Sequence, residues 1–328
     1  MLDPSPAMIA SAPGKLIVTG EYAVLEGAPA IVIAVDRRAV ARRNATPRGS
    51  SPFLLAVADE IAARRGAADP AAHAALEISV DSAAFYHRIT KLGLGSSAAV
   101  TVAATALALG TADPEEVLAV ALAAHARAQG PRGSRGSGAD VAASVHGGTI
   151  VFSRAASDDG AAPCRVERRR WPAAVTLLPF FTGVAADTAQ LVARVHAARD
   201  ANRTAVEAAL AAITDASQAA CAALTAPPDI AAVAWIGALA LAANAMDRLA
   251  IATGIGLVPD CVTAARAALA RLGGTAKTTG AGGGDVGVAV IPATVDATIA
   301  TRLLIEAGCQ PLRISLDEAG VDLRADAS

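Results

Sequence analysis

Aromatic side chains are scarce: phenylalanine, tyrosine and tryptophan make up 3% of 328 positions. The interior must be built from small aliphatic residues, and alanine supplies much of the 54% hydrophobic content. Such a core packs closely but buries little area per residue, and the alanine excess points to high helix content. Cysteine is also sparse. Cys164, Cys221, Cys261 and Cys309 are scattered, with no CxxC pair and no histidine cluster beside them. That excludes a zinc framework or disulfide scaffold and fits a reducing cytoplasm. Excess charge is missing too. A formal net charge of -2, with basic runs confined to Arg37-Arg38, Arg42-Arg43 and Arg168-Arg169-Arg170, gives no nucleic-acid footprint. Residues 1–12 lack the basic start and apolar run of a secretory signal. The longest apolar stretch, Ile230 to Met246, is interrupted by Trp235, Gly237 and Asn244 and reads as a buried helix, not a membrane span.

What is present is an α+β pattern without regular β-α-β alternation. Ile9 to Val18 reads as a strand broken at Pro13-Gly14, and Ala30 to Val35 as a second strand that Asp36 to Arg43 could continue. Pro52 to Arg65 has helical spacing, Gly66 to Ala75 reads as a small-residue loop, and Leu76 to Val80 as a short strand. Asp113-Pro114-Glu115-Glu116 is a strong helix start. From Thr188 to Met246 the pattern is helical with a break at Pro227-Pro228. Gln310 to Leu316 closes the strands, and residues 318–328 are expected to fray.

Chemistry concentrates in three segments. The first is Gly93-Leu94-Gly95-Ser96-Ser97-Ala98-Ala99, followed at once by an apolar helix. Small residues let backbone amides approach a ligand, and a helix N-terminus offers unsatisfied donors and partial positive charge. The same glycines would also serve a tight strand-to-helix turn. No Gly-Lys-Ser/Thr follows, so this is not a Walker A loop. It fits Gly-x-Gly-x-x-Ala, a weak dinucleotide signature, but Phe85 to Lys91 makes a poor buried strand before it. The second segment, Ala12 to Tyr22, puts Lys15 among apolar strand residues beside a turn, where it either meets a phosphate or snorkels from an edge. The third, Lys277 to Asp285, has glycines at 280, 282, 283 and 284, more than a plain hairpin needs.

In this order and together, the segments resemble the GHMP kinases, over Ala12 to Val290. Within that superfamily the details are most similar to phosphomevalonate kinases. They are Gly20-Glu21-Tyr22-Ala23-Val24-Leu25, with Tyr22 where mevalonate kinases usually carry His, Lys91 ahead of the glycine loop, Gly136 to Ala142, and Gly280 to Asp285 ending in Asp. Phe181-Thr182-Gly183 with Asp187-Thr188 resembles the segment leading to that family's substrate-side helix. The resemblance implies an N-terminal ribosomal-protein-S5-like lobe (1–172), a C-terminal ferredoxin-like lobe (173–328) and an active site between them. One departure stands out. The glutamate that helps mevalonate kinases hold Mg²⁺ has no counterpart before Asp140, where His125 and Gln129 are the nearby candidates.

The implied activity is transfer of the ATP γ-phosphoryl group to phosphomevalonate. Lys15 and Asp140 are the expected catalytic residues, the loop Gly93 to Ala99 binds ATP, and Ser97 and Asp140 meet Mg²⁺. Lys15, Glu21, Tyr22, Lys91, Ser137, Gly138, Lys277, Gly282 and Gly283 are expected at the acceptor, with Arg132 and Arg135 as further cations. The expected partners are the two small-molecule substrates, with no nucleic acid and no membrane, in a monomer or homodimer. Mevalonate as acceptor is the nearest alternative. A non-catalytic sensor on the same fold and a nicotinamide-dependent dehydrogenase are the others.

Overall fold

The computed structural model describes residues 7–43, 51–87, 89–132, 136–154 and 164–326, with the backbone alone at Arg132. The chain runs β1 (Met8–Thr19), β2 (Ala30–Arg43), α1 (Pro52–Arg65), α2 (Pro70–Leu76), β3 (Ile78–Asp81), β4 (Tyr86–His87), β5 (Thr90–Lys91), α3 (Ser96–Leu109), α4 (Pro114–Gln129), α5 (Ala139–His146), β6 (Thr149–Arg154) and β7 (Cys164–Arg169). It continues through β8 (Val175–Phe181), α6 (Thr188–Ala201), α7 (Arg203–Ala223), α8 (Ala231–Thr253), α9 (Asp260–Ala270), β9 (Thr275–Thr278), β10 (Val286–Pro292), α10 (Ala297–Glu306), β11 (Gln310–Pro311) and β12 (Asp322–Ala325).

Helix starts follow their capping chemistry. Ser51, Asp69, Asp113, Asp187 and Asp296 each accept a backbone N–H from the first turn they precede, and proline follows at once in α1, α2 and α4. Asp69-Pro70 therefore makes a helix, α2, where the small residues of 66–75 suggest a loop. Pro13-Gly14 does not break β1; the pair sits at a bulge, and pairing with β2 resumes at Gly14. A side chain at Gly14 would meet Leu94 O and the Phe85 ring, both at 2.7 Å, so the bulge lets β1 lie flush against the glycine loop.

One sheet has the order β12-β1-β2-β6-β7, with β3 also on β2; a second has β11-β8-β10-β9. Helix α3 is apolar all round and runs through the centre, and α1 and α4 pack against it. A shared core joins the sheets: Leu16, Val18, Ile31 and Ile33 meet Val286, Val288 and Trp235. Helix α8 is long and apolar enough to cross a membrane by length and composition, but its Trp235, Leu239 and Met246 face is buried in the protein.

The last residues depart from expectation. Residues 322–325 do not fray; they pair antiparallel with Met8 to Ser11 of β1. A division at 172/173 places β8 to β11 in one unit but leaves β12 in the sheet of the other. Arg38 anchors this return. Its guanidinium donates to Ser11 Oγ (3.1 Å), Ser11 O (3.0 Å) and Gly320 O (2.6 Å), and it pairs with the Asp317 carboxylate. Arg38→Ala leaves a largely buried carboxylate unpaired and is expected to cost about 2–4 kcal/mol, read as a lower urea midpoint with little change in slope.

Candidate active site

A cleft of about 460 Å³ opens between the two sheets. Three backbone devices build its floor. The first is the glycine loop. Gly93 and Gly95 take left-handed backbone, and Gly95 caps α3, whose first internal bond is Ala99 N–H to Gly95 O. The amides of Ser96, Ser97 and Ala98 thus have no intrahelical acceptor. Gly95 must be glycine for a second reason: a Cβ there would strike Lys15 Cε at 2.9 Å. The second device is the start of α5, where left-handed Gly138 precedes Ala139 and Asp140. The third is the loop after β9, where Gly280, Gly282 and Gly283 all have positive φ.

Lys15 is tied to the first device by its backbone and its side chain. Its N–H donates to Leu94 O (2.8 Å), and its ammonium donates to Gly93 O (3.4 Å). Burial lowers its pKa from the usual lysine value; Asp140 and then Asp285 oppose that, and Lys91 adds to it. A lysine between two carboxylates, with donors left over for the cleft, suits a group that must meet an anion. Asp140 lies in the first turn of α5, with Oδ1 accepting Val141 N–H at 3.0 Å.

Of the residues expected at the site, Lys15, Glu21, Tyr22, Lys91, Gly93, Gly95, Ser97, Ser137, Asp140 and Gly282 line the cleft. Leu94, Ser96, Ala98 and Ala99 are buried behind it and face it through backbone at most. Gly138 and Gly283 do not line it. A Cβ at Gly138 would strike Leu122, and Gly283 gives its N–H to Leu257 O at 2.7 Å, so both serve packing. Lys277 needs a larger correction. It is 1% exposed, and its ammonium is consumed by the Glu21 carboxylate, Val18 O (2.9 Å) and Thr278 O (2.7 Å). It is therefore not free to meet an acceptor. Burial pushes the Glu21 carboxyl up and Lys277 pulls it down; Glu21 Oε2 finds no partner among the described residues. Tyr22, in left-handed backbone, donates its hydroxyl to Ala281 O at 2.7 Å across the cleft. Arg135 and the Arg132 side chain lie outside the described residues.

Asp285 belongs with the site and is absent from the expected set. It too has positive φ. Its Oδ1 accepts Ala186 N–H at 3.1 Å and its N–H donates to Val184 O at 2.6 Å, so it pins the entrance to α6. Its carboxylate lies so close over Gly93 that any Cβ there would collide with it. Burial raises its pKa against the pull of the Ala186 amide, Lys15 and Lys91. The signal was present, since an aspartate ending a glycine run cannot be a turn filler alone, but local capping accounts for it equally well in sequence. Ile17, Val24, Leu25 and Val192 add an apolar wall. Ser97 Oγ and Asp140 Oδ2 lie 3.2 and 4.0 Å from one atom, His125 Nε2. Both side chains also line the cleft and offer it hard oxygen donors. No cluster of three or more His, Cys, Asp or Glu occurs among the described residues. That donor set suits Mg²⁺, which takes one or two protein oxygens and fills its shell with phosphate and water.

Lys277→Met strands a buried carboxylate and is expected to cost about 3–5 kcal/mol in guanidinium unfolding; adding Glu21→Leu should recover most of it, because a buried pair contributes little net stability.

The GHMP kinases N terminal domain family matches residues 53–148. The phosphomevalonate kinase of Streptomyces sp. (strain CL190) is 31% identical, over 94% of this chain and 96% of its own. Among solved structures, a Listeria innocua protein has a TM-score of 0.80 at 20% identity, covering 98% of this chain and all of that one. Streptococcus pneumoniae phosphomevalonate kinase, solved with phosphomevalonate and AMPPNP, has 0.75 at 17%, covering 94% of this chain and 99% of its own.

Proposed function

From the premise that this chain belongs to the GHMP kinases and is a phosphotransferase, we propose that it moves the γ-phosphoryl group of ATP onto phosphomevalonate, giving diphosphomevalonate. The observation that carries the acceptor choice is the pair of ammonium groups, Lys15 and Lys91, lining one cleft beside the glycine loop. A hydroxyl acceptor needs one cation near the transferring group. A second answers the charge of an acceptor that is already a phosphate. The likeness to phosphomevalonate kinases in sequence and fold supports the same reading. The scattered cysteines of the sequence suggest a reducing, cytoplasmic setting for this activity.

Phosphoryl transfer asks for alignment and charge neutralisation more than covalent help. The unsatisfied amides at the start of α3 face the ATP phosphates. Bound Mg²⁺ would neutralise phosphate oxygens, with Ser97 and Asp140 as its protein ligands. The acceptor phosphate has a second pKa near 6 and is largely dianionic at neutral pH. Asp140 therefore orients that group and balances Lys15, with little proton to remove. Lys15 draws the attacking oxygen toward the γ-phosphorus and takes up charge as it spreads onto the transferring group. Lys91, the more exposed cation, steers the acceptor's phosphate. Tyr22 and the apolar wall of Ile17, Leu25 and Val192 accommodate its carbon skeleton.

ADP release measured side by side should be supported by phosphomevalonate and remain at background with mevalonate; the opposite pattern would transfer the reading to a hydroxyl acceptor. Asp140→Ala should lower turnover by about a hundredfold or more with folding intact, and near-normal turnover would remove Asp140 from the mechanism. The pH profile carries a further test. Because burial depresses the Lys15 pKa, its charge is lost as pH rises through a value below that of an ordinary lysine. Activity should fall on that alkaline side. Asp285→Asn removes a carboxylate that opposes the depression, so the fall should move to lower pH; an unmoved alkaline limb would separate Asp285 from Lys15.

A further inference from the structure

His125 stands one layer behind the cleft. It is 2% exposed, lies near the end of α4, and stacks on Phe53 of α1 with ring centroids 5.6 Å apart and planes at 23°. That stack fixes the ring plane and leaves one edge aimed at the cleft. Three cleft-lining side chains converge on that edge: Gln129 Nε2 at 3.1 Å, Ser97 Oγ at 3.2 Å and Asp140 Oδ2 at 4.0 Å from His125 Nε2. With the Ser97 hydroxyl as the donor, Nε2 is the acceptor of the 3.2 Å contact. The single in-plane lone pair of Nε2 is then taken by the Ser97 hydrogen, with Gln129 beside the same edge. Both lone pairs of Ser97 Oγ are left facing the cleft. At 4.0 Å Asp140 makes no hydrogen bond to the ring, and its Oδ1 stays on Val141 N–H.

We propose that His125 is a positioning residue that orients the Ser97 hydroxyl as an oxygen ligand for the divalent cation bound with a nucleoside triphosphate. The proposal rests on the nucleotide-binding reading of the cleft. A serine at the start of a helix can turn its hydroxyl to several acceptors. An acceptor held by aromatic stacking removes that freedom before the ligand arrives, so the cation meets an oriented lone pair. His125 acts through Ser97 and touches no substrate.

Calorimetric titration of the full chain with AMPPNP, in Mg²⁺ and in EDTA, tests it. His125→Phe keeps the stack on Phe53 and loses the acceptor; His125→Gln places an amide oxygen near the Nε2 position. In Mg²⁺ the Phe variant should bind AMPPNP about 10- to 100-fold more weakly than the natural chain, a range typical of lost outer-shell support. In EDTA the two should agree, and the Gln variant should recover most of the loss. Equal losses with and without metal would mark His125 as merely structural. An undiminished Mg²⁺ gain in the Phe variant, or a Gln variant no better than Phe, would also overturn the proposal. Ser97→Ala removes the hydroxyl directly. It should show the same metal-dependent loss, and its failure to do so would sink the proposal even if the His125→Phe chain did not fold. Failure of the natural chain to bind AMPPNP at all would instead overturn the nucleotide-binding reading itself.

Discussion

The ion pair of Lys277 and Glu21 is the joint on which the cleft is built. An ammonium and a carboxylate removed from water are tolerated only when paired and hydrogen-bonded, and here the remaining donors reach Val18 O and Thr278 O. One partner leaves β9 just before the glycine run; the other follows β1 just after Lys15 and Val18. Their pairing sets the glycine run of one sheet opposite the lysine of the other. Neighbouring contacts reinforce it. Tyr22 reaches Ala281 O, Thr19 Oγ1 meets Ser217 Oγ at 2.9 Å, and Ser217 donates to Pro29 O at 2.6 Å. The two sheets thus meet as a fixed floor under the cleft.

Backbone conformation marks the same place. Among the described residues, Tyr22 and Asp285 are the non-glycine positions with positive φ, at 59° and 52°. Each costs free energy that a glycine would largely avoid, and each uses its side chain to bridge segments at the cleft. Tyr22 spans to the glycine run, and Asp285 locks the entrance of α6 while lying against Gly93. Two carboxylates, Asp140 and Asp285, then hold charge on the Lys15 ammonium against burial and the neighbouring Lys91, which both favour its neutral form. Preorganised charge of this kind is what a reaction dominated by electrostatics requires.

Much of this was legible in the sequence because glycine patterns report backbone demands directly. Gly93-x-Gly95 before an apolar run, and glycines at 280, 282 and 283, imply positive φ and close approach, and the structure has both. Capping chemistry placed α4 through Asp113-Pro114. The same rule was available at Asp69-Pro70, where alanine-rich brevity read as loop. Partners distant in sequence were not legible. Lys277 looks like a free cation until Glu21, 256 positions away, is set against it. Asp285 and His125 are similar cases: a carboxylate after glycines and a histidine in a helix acquire meaning only when Gly93, Ser97 and Phe53 stand beside them. β12 was missed because a short polar strand carries little periodicity, and its identity comes from the β1 edge it covers.

That covering strand has a consequence for biosynthesis. Emerging from a ribosome, β1 can pair with β2 almost at once, yet its other edge waits for Asp322 to Ala325, which are synthesised after β2 to β11. Until then the nascent polypeptide presents an unpaired strand flank, the surface on which intermolecular β-association begins. Arg38 waits over the same interval for Asp317 and Gly320. Completion of this sheet thereby waits for its last strand, although β1 and β2 can pair as soon as both exist.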